Sequence, residues 1–247
     1  MTDVPQKRYR EDPEREIILS VDLGKQQDYT CYTISEILPE WREMRSGARL
    51  KVKLVNVRDI QRVPLGVDYH TIANMLYDVF FDKRLWLIDP KTKNPILPTM
   101  LVDAGGVGEA VTDDMSRRLG LLFQRYRLVY RLVRGTSETR QARRNFTVPR
   151  TRMFEQLYAA FTDERIRINP KLKLAEALLG ELRNLKPEAN EETGYVKVVH
   201  REGEHDDMAI CLASTNWWAN RKKSRGTRMI QDEETAARLM GYRAGRI

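Results

Sequence analysis

The chain has 247 residues, 41% hydrophobic and 32% charged, which suits one large domain or two small ones with a buried core and excludes collagen-like, wholly disordered and membrane-embedded classes. No apolar run approaches the roughly 18 residues that span a bilayer, and the first 16 residues are polar with no secretory signal, so a soluble protein of the cytoplasm is expected. The net charge of +8 is concentrated, because residues 117–144 hold nine arginines against the single acid Glu138. A second basic run, Arg221, Lys222, Lys223, Arg225 and Arg228, lies near the C-terminus, and such clusters suit a polyanion such as nucleic acid or else form an ordinary solvated surface.

Residues 1–15 read as a flexible arm and 221–247 as a basic, then charged, tail. Between them, residues 17–21 (Ile-Ile-Leu-Ser-Val) predict a buried strand ending in Asp22-Leu23-Gly24. Residues 29–37 and 50–57 have strand-like composition and are joined across Gly47, which suggests an antiparallel meander. Ile72, Met75, Leu76, Val79 and Phe80 trace one face of an amphipathic helix, and the proline-rich stretch 90–98 reads as a loop. Met100-Leu101-Val102 is a short buried strand that runs through Asp103 into Ala104-Gly105-Gly106-Val107-Gly108 and a helix with Val111, Met115 and Leu119 on one stripe. Residues 128–133 resemble another strand. Phe154, Leu157, Tyr158 and Phe161, then Leu174, Leu178, Leu182 and Leu185, mark two further amphipathic helices. Residues 187–194 read as a polar connection, 195–199 as a strand or hairpin arm, and 208–213 as a buried helix opened by His205-Asp206-Asp207.

Carboxylates therefore sit where buried elements end: Asp22, Asp103 and the pair Asp206/Asp207. Singly, each is explained as a turn former, a helix cap or a favourable partner of the helix dipole. If the fold gathers them, their mutual repulsion calls for hard divalent cations, Mg2+ or Mn2+, and two such ions roughly 3.5–4 Å apart carry out phosphodiester hydrolysis. The arginine-rich stretch would then grip phosphates, with Arg140, Arg143, Arg144 and Arg150 as candidate DNA contacts. Other chemistries are weaker. No Gly-x-x-x-x-Gly-Lys-Ser/Thr occurs, and Val111 stands where a dinucleotide fingerprint wants Gly or Ala, so no nucleotide cofactor is expected. Cys31, Cys211, His70, His200 and His205 fall into no zinc spacing. His205 is a possible proton relay or metal ligand, or a surface or capping residue. Trp217 and Trp218 finish the buried helix and pack, with nucleobase stacking as the other reading.

The order of three motifs, Ser20-Val21-Asp22-Leu23-Gly24 with Asp28-Tyr29-Thr30, then Leu101-Val102-Asp103-Ala104-Gly105-Gly106-Val107-Gly108, then His205-Asp206-Asp207-Met208-Ala209, resembles the nuclease domain of tailed-bacteriophage terminase large subunits. The intervening Phe146-Thr147-Val148-Pro149-Arg150, Arg165-Ile166-Arg167-Ile168 and Glu181-Leu182-Arg183-Asn184-Leu185 are similar too, so the resemblance runs over about residues 17–218. It implies an α/β, ribonuclease H-like fold, a mixed central sheet flanked by helices, over residues 16–220. It further implies a metal-dependent endonuclease cutting concatemeric viral double-stranded DNA during packaging in the host cytoplasm. Asp22, Asp103 and Asp207 would be the catalytic acids holding two ions, Mg2+ or Mn2+, with Asp206 close by as a further ligand. Nothing in the chain corresponds to the family's packaging ATPase, so an ATPase domain or subunit is an expected partner, together with the small terminase subunit and the portal. Another ribonuclease H-like nuclease, such as a junction resolvase, and a non-catalytic DNA-binding or assembly module of the packaging motor are the alternatives.

Overall fold

The computed structural model of the chain describes residues 9–24, 28–43, 46–103, 111, 113–114, 117, 129–135, 137–141, 145–189, 196–199 and 205–221. The strands β1 (Glu16–Asp22), β2 (Cys31–Glu43) and β3 (Arg49–Arg62) form the expected antiparallel meander. β2 and β3 run longer than predicted because they continue past the end of β1, which pairs only as far as Ile37, into a two-stranded arm. The arm turns at Gly47, whose φ of +79° lies in the left-handed region that a residue without a Cβ enters freely. Between Ile34 and Ser35 the register shifts, leaving Arg58 as an extra residue on β3.

Helix α1 (Tyr69–Phe80) follows, capped by Asp68, whose carboxylate accepts the Thr71 N–H at 3.0 Å. The stretch expected as a proline-rich loop instead closes a small hairpin, β4 (Leu87–Ile88) with β5 (Pro95–Ile96). Asp89 organises its turn by accepting the amides of Lys91 and Thr92 at 2.9 and 2.7 Å, and Pro95 is tolerated because so short a ladder is all edge. β6 (Thr99–Asp103) pairs parallel with β1, and β7 (Val129–Arg134) parallel with β6. Val111 of the helix expected between them is buried, whereas Met115, Leu119 and the glycines 105–108 lie outside the described residues.

β8 (Thr139–Gln141), β9 (Asn145–Val148) and β10 (Ile166–Ile168) were not expected, since strands of three or four residues leave almost no periodic signal. The predicted helices are α2 (Arg150–Thr162) and α3 (Ala175–Asn184). A second correction concerns 187–189, read as polar connection. They belong to β11 (Lys186–Ala189), which is paired with β12 (Val196–Val199) and thereby hydrogen-bonded despite its polar composition. α4 (Asp207–Asn220) ends the described chain and outruns the expected helix by a further two turns. The main sheet is mixed and eight-stranded, in the order β10-β3-β2-β1-β6-β7-β9-β8.

Period-two alternation splits the strands between two cores. Ile17, Leu19 and Val21 of β1, Tyr32 and Ile34 of β2, and Met100 and Val102 of β6 meet α1 through Ile72, Leu76 and Phe80. Ile18, Cys31, Ile37, Leu101, Leu132 and Phe146 meet α2, α3 and α4 on the other face. α4 is buried on every side from Met208 to Ala219, as its lack of a polar face requires. Residues 9–15 of the N-terminal arm lie against this body: the Arg10 N–H donates to the Ile88 carbonyl at 2.8 Å, and Arg15 reaches Glu36. Among the described residues no helix is long and apolar enough to cross a membrane.

Candidate functional site

Register assembles the first part of the site. Across the sheet, Arg62 stands opposite Cys31, Cys31 opposite Asp22, Asp22 opposite Asp103, and Asp103 opposite Leu132. Residues directly opposite one another share a face, so Asp22 and Asp103 project from adjacent strands, about 4.8 Å apart, toward the α4 side. Both close the carboxyl ends of parallel strands. The strand order goes on from β1 to β2 on one side and from β6 to β7 on the other, so the two acids stand at the carboxyl ends of strands where the order diverges, the usual place for a ligand in an α/β sheet. The backbone beside Asp22 is tight. A Cβ on Gly24 would lie 2.1 Å from the Asp28 carbonyl oxygen, and the Gly24 N–H donates to Thr30 Oγ1 at 3.2 Å.

The second part comes from α4, which packs on β1, β2 and β3 and against α2 and α3. Its start carries Asp206 at the N-cap and Asp207 in the first turn. The capping explanation of Asp206 fails in one respect, because its side chain makes no cap hydrogen bond. Its carboxylate instead pairs with the guanidinium of Arg150, which also donates from Nε to the Val198 carbonyl at 3.2 Å and lies over the Phe154 ring. Arg150, expected as a DNA contact, thus serves inside the molecule, tying α2 to β12 and to the start of α4.

The cap is supplied by another helix. Glu181 of α3, only 6% exposed, accepts the Ala209 N–H through Oε2 at 2.9 Å and the Arg62 Nη2 through Oε1 at 2.9 Å. The Arg62 guanidinium lies over the Tyr29 ring at 4.8 Å, Tyr29 meets the His205 ring edge-on at 5.7 Å, and His205 Nδ1 stands 3.8 Å from Asp207 Oδ2. A chain of contacts therefore runs from β3 to the first turn of α4.

Perturbed protonation marks where the charges reach. Burial raises the Glu181 carboxyl above its usual value, and the negative charge of Asp207 adds to this against the Ala209 amide and Arg62. Burial, then Asp207, pushes the Cys31 thiol up to about 12. Burial also raises the Cys211 thiol well above its ordinary value, with Asp22, Cys31 and Asp207 contributing. The fields of Asp22 and Asp207 thus overlap at Cys211, one helical turn beyond Asp207. Asp103 and Asp206 are each 7% exposed.

The structure therefore brings Asp22 and Asp103 side by side and sets Asp206 and Asp207 at a helix start over the same face. Among the described residues, no group of three or more His, Cys, Asp or Glu side chains stands close enough together to hold a metal ion. The donor chemistry nonetheless suits hard cations, since carboxylate oxygens stand at the ends of two strands and the start of one helix. Arg140 lies on β8 opposite Phe146, while Arg143 and Arg144 are outside the described residues. Trp217 and Trp218 are 1% and 0% exposed and pack on Phe146, so core packing takes both rings and neither is presented to a nucleobase.

Glu181 and Arg62 were missed as site residues. Glu181 had a signal, an acid three residues after Leu178 on the apolar stripe of α3, whereas Arg62 had none because the β3 bulge sets its register. No family model, curated protein or solved structure matches the chain.

Proposed function

We propose that the chain is a divalent-metal-dependent endonuclease of ribonuclease H-like fold that hydrolyses phosphodiester bonds of double-stranded viral DNA during genome packaging. The observation that carries this reading is the in-register pair Asp22 and Asp103 at the carboxyl ends of adjacent parallel strands, on the face where α4 begins with Asp206 and Asp207. The motif order that resembles terminase nucleases supports it. Asp22, Asp103 and Asp207 are the residues that would hold Mg2+ or Mn2+, with Asp206 adjacent and paired to Arg150. When bound, two such ions supply Lewis-acid stabilisation of the charge that develops at the scissile phosphate.

The chain's own residues supply orientation and proton handling. Asp103 sits almost out of solvent, so its oxygens are held in one place, and the Gly24 turn fixes the backbone that follows Asp22. His205, with Nδ1 facing Asp207, presents Nε2 as the nitrogen that takes or gives a proton. Arg140, Arg143 and Arg144 would grip phosphates without reading sequence. The partners of this reading are an ATP-driven packaging motor, the small terminase subunit and the portal.

The test is cleavage of supercoiled and linear plasmid DNA with Mg2+, Mn2+ or chelator, comparing the chain with Asp22→Asn. Metal-dependent cutting that disappears in the variant is the expected result, and cutting that persists would falsify the site. A preference for four-way junctions over linear duplex would move the reading to a junction resolvase. The ion pair between Asp206 and Arg150, with no three-acid group among the described residues, favours a second reading, a non-cleaving DNA-binding module of the motor. DNA binding without cleavage in either metal, with the packaging ATPase present, would select it.

A further inference from the structure

A helix start whose own cap residue is occupied elsewhere needs another acceptor for its first amides, because the first four N–H groups have no partner within the helix. In α4 the Asp206 side chain goes to Arg150, and Glu181 of α3 takes its place at the Ala209 N–H. A carboxylate brought in from a neighbouring helix satisfies the amide and complements the helix dipole as a local cap does. It also leaves the N-cap residue Asp206 out of capping. Glu181 is buried, so its charge requires a counter-ion, and Arg62 provides one from the last position of β3 while lying over the Tyr29 ring. Arg62 belongs, through Cys31, to the same cross-sheet row as Asp22 and Asp103. The row and the helix start are thereby held in one frame.

We propose that Glu181 and Arg62 are positioning residues that clamp the start of α4 onto the end of the sheet and so hold the Asp207 carboxylate over the Asp22–Asp103 pair for metal binding. The proposal rests on the nuclease reading, and it concerns residues that touch neither metal nor DNA. Supporting residues of this kind typically change metal affinity by about 10–100-fold.

The experiment measures Mn2+ binding by titration calorimetry and amide hydrogen exchange across 207–210 in the chain, Glu181→Ala, Glu181→Gln and Asp22→Asn. Glu181→Gln keeps an oxygen for the Ala209 N–H and loses only the ion pair, so it remains informative if Glu181→Ala does not fold. Expected are faster exchange confined to the start of α4 in Glu181→Ala, Mn2+ affinity weakened by at least about tenfold, and partial recovery of both in Glu181→Gln. If Asp22→Asn abolishes Mn2+ binding while both Glu181 variants bind as tightly as the parent, the clamp is overturned and the nuclease site stands. Unchanged exchange at 207–210 likewise overturns it. If the parent chain binds no Mn2+, the nuclease reading fails and takes the proposed role with it.

Discussion

The two faces of the central sheet are made by the same strands and differ in almost everything else. Toward α1, β1 presents Ile17, Leu19 and Val21, and β6 presents Met100 and Val102, an apolar surface with no polar interruption along those strands. Toward α4 the same strands present Ser20 and Asp22, and Leu101 and Asp103, joined across β2 by Cys31, Thr33 and Ser35. Since a strand sends successive side chains to opposite faces, one residue of slip would exchange the two surfaces, and the apolar face therefore sets the register that aligns the acids. Both faces carry a hydrophobic core, and the acids lie on only one of them.

Each side also holds one buried glutamate, and the two behave oppositely. Burial alone would raise Glu36, but hydrogen bonds from Arg58 at 2.5 Å and from Arg15 at 2.8 Å outweigh it and hold its carboxyl below the usual value. Glu181, beside Asp207, is raised. A lowered folded value means that Glu36 contributes its full stability above the ordinary glutamate value of 4.5 and loses it as pH falls through the folded one. A raised folded value means the reverse for Glu181. The folded state binds the proton more tightly, so stability declines as pH rises from 4.5 through the folded value.

The contrast is broken most severely on the chemical face. Asp103→Asn should abolish metal-dependent DNA cleavage while leaving the unfolding free energy within about 1 kcal/mol of the parent, since only one charge of a repelling pair is removed. On the other face, Leu19→Ala should cost about 4 kcal/mol in urea denaturation, because Leu19 is 0% exposed and its removal opens a cavity. Its cleavage rate, measured where the variant is folded, should stay near that of the parent. Equal losses of activity from both substitutions would show that the faces are not separable. Glu36→Gln should cost about 3 kcal/mol at neutral pH by leaving two arginines without their buried partner. Denaturation followed from about pH 7 down to about pH 3 should show a flatter acid limb for this variant than for the parent.

Much of this division is visible in the residues themselves. Ile17, Leu19 and Val21 alternate with Ile18, Ser20 and Asp22, and the periodic helices α1 to α3 stand where their apolar stripes predict. What the sequence does not carry is the partner of each element. Asp22 and Asp103 are 81 positions apart and become neighbours only through the parallel pairing of β1 with β6. Arg150 reads as an exposed phosphate contact until Asp206 takes its guanidinium, and Asp206 reads as a cap until Glu181 caps the helix for it. Short strands such as β8 and β10 are stabilised by neighbours and not by their own composition, so no local pattern announces them. Tertiary pairing settles all of these, and it also makes Glu181 a more informative residue than an acid on an apolar stripe would suggest.

The smallest expected effect has the opposite sign. On the chemical face Ser20, Thr33 and Ser35 are buried, and their hydroxyl oxygens find no hydrogen-bond partner among the described residues, with Ser20 directly opposite Thr33 and Ser35 two residues along the same side of β2. A buried hydroxyl without a partner is a cost, and valine has nearly the shape of threonine without it. Thr33→Val should therefore raise stability by about 1 kcal/mol, and the melting temperature by about 2–4 °C for a chain of this size. A destabilisation of the same magnitude would carry a different lesson. Three hydroxyls on one side of two strands are enough to hold one internal water, and a loss on removing Thr33 Oγ1 would mean that such a water links the floor of the α4 face below the acidic pair. In that case the polar residues beneath α4 form a connected layer that supports the acids, and Ser20→Ala and Ser35→Ala should each reproduce the loss.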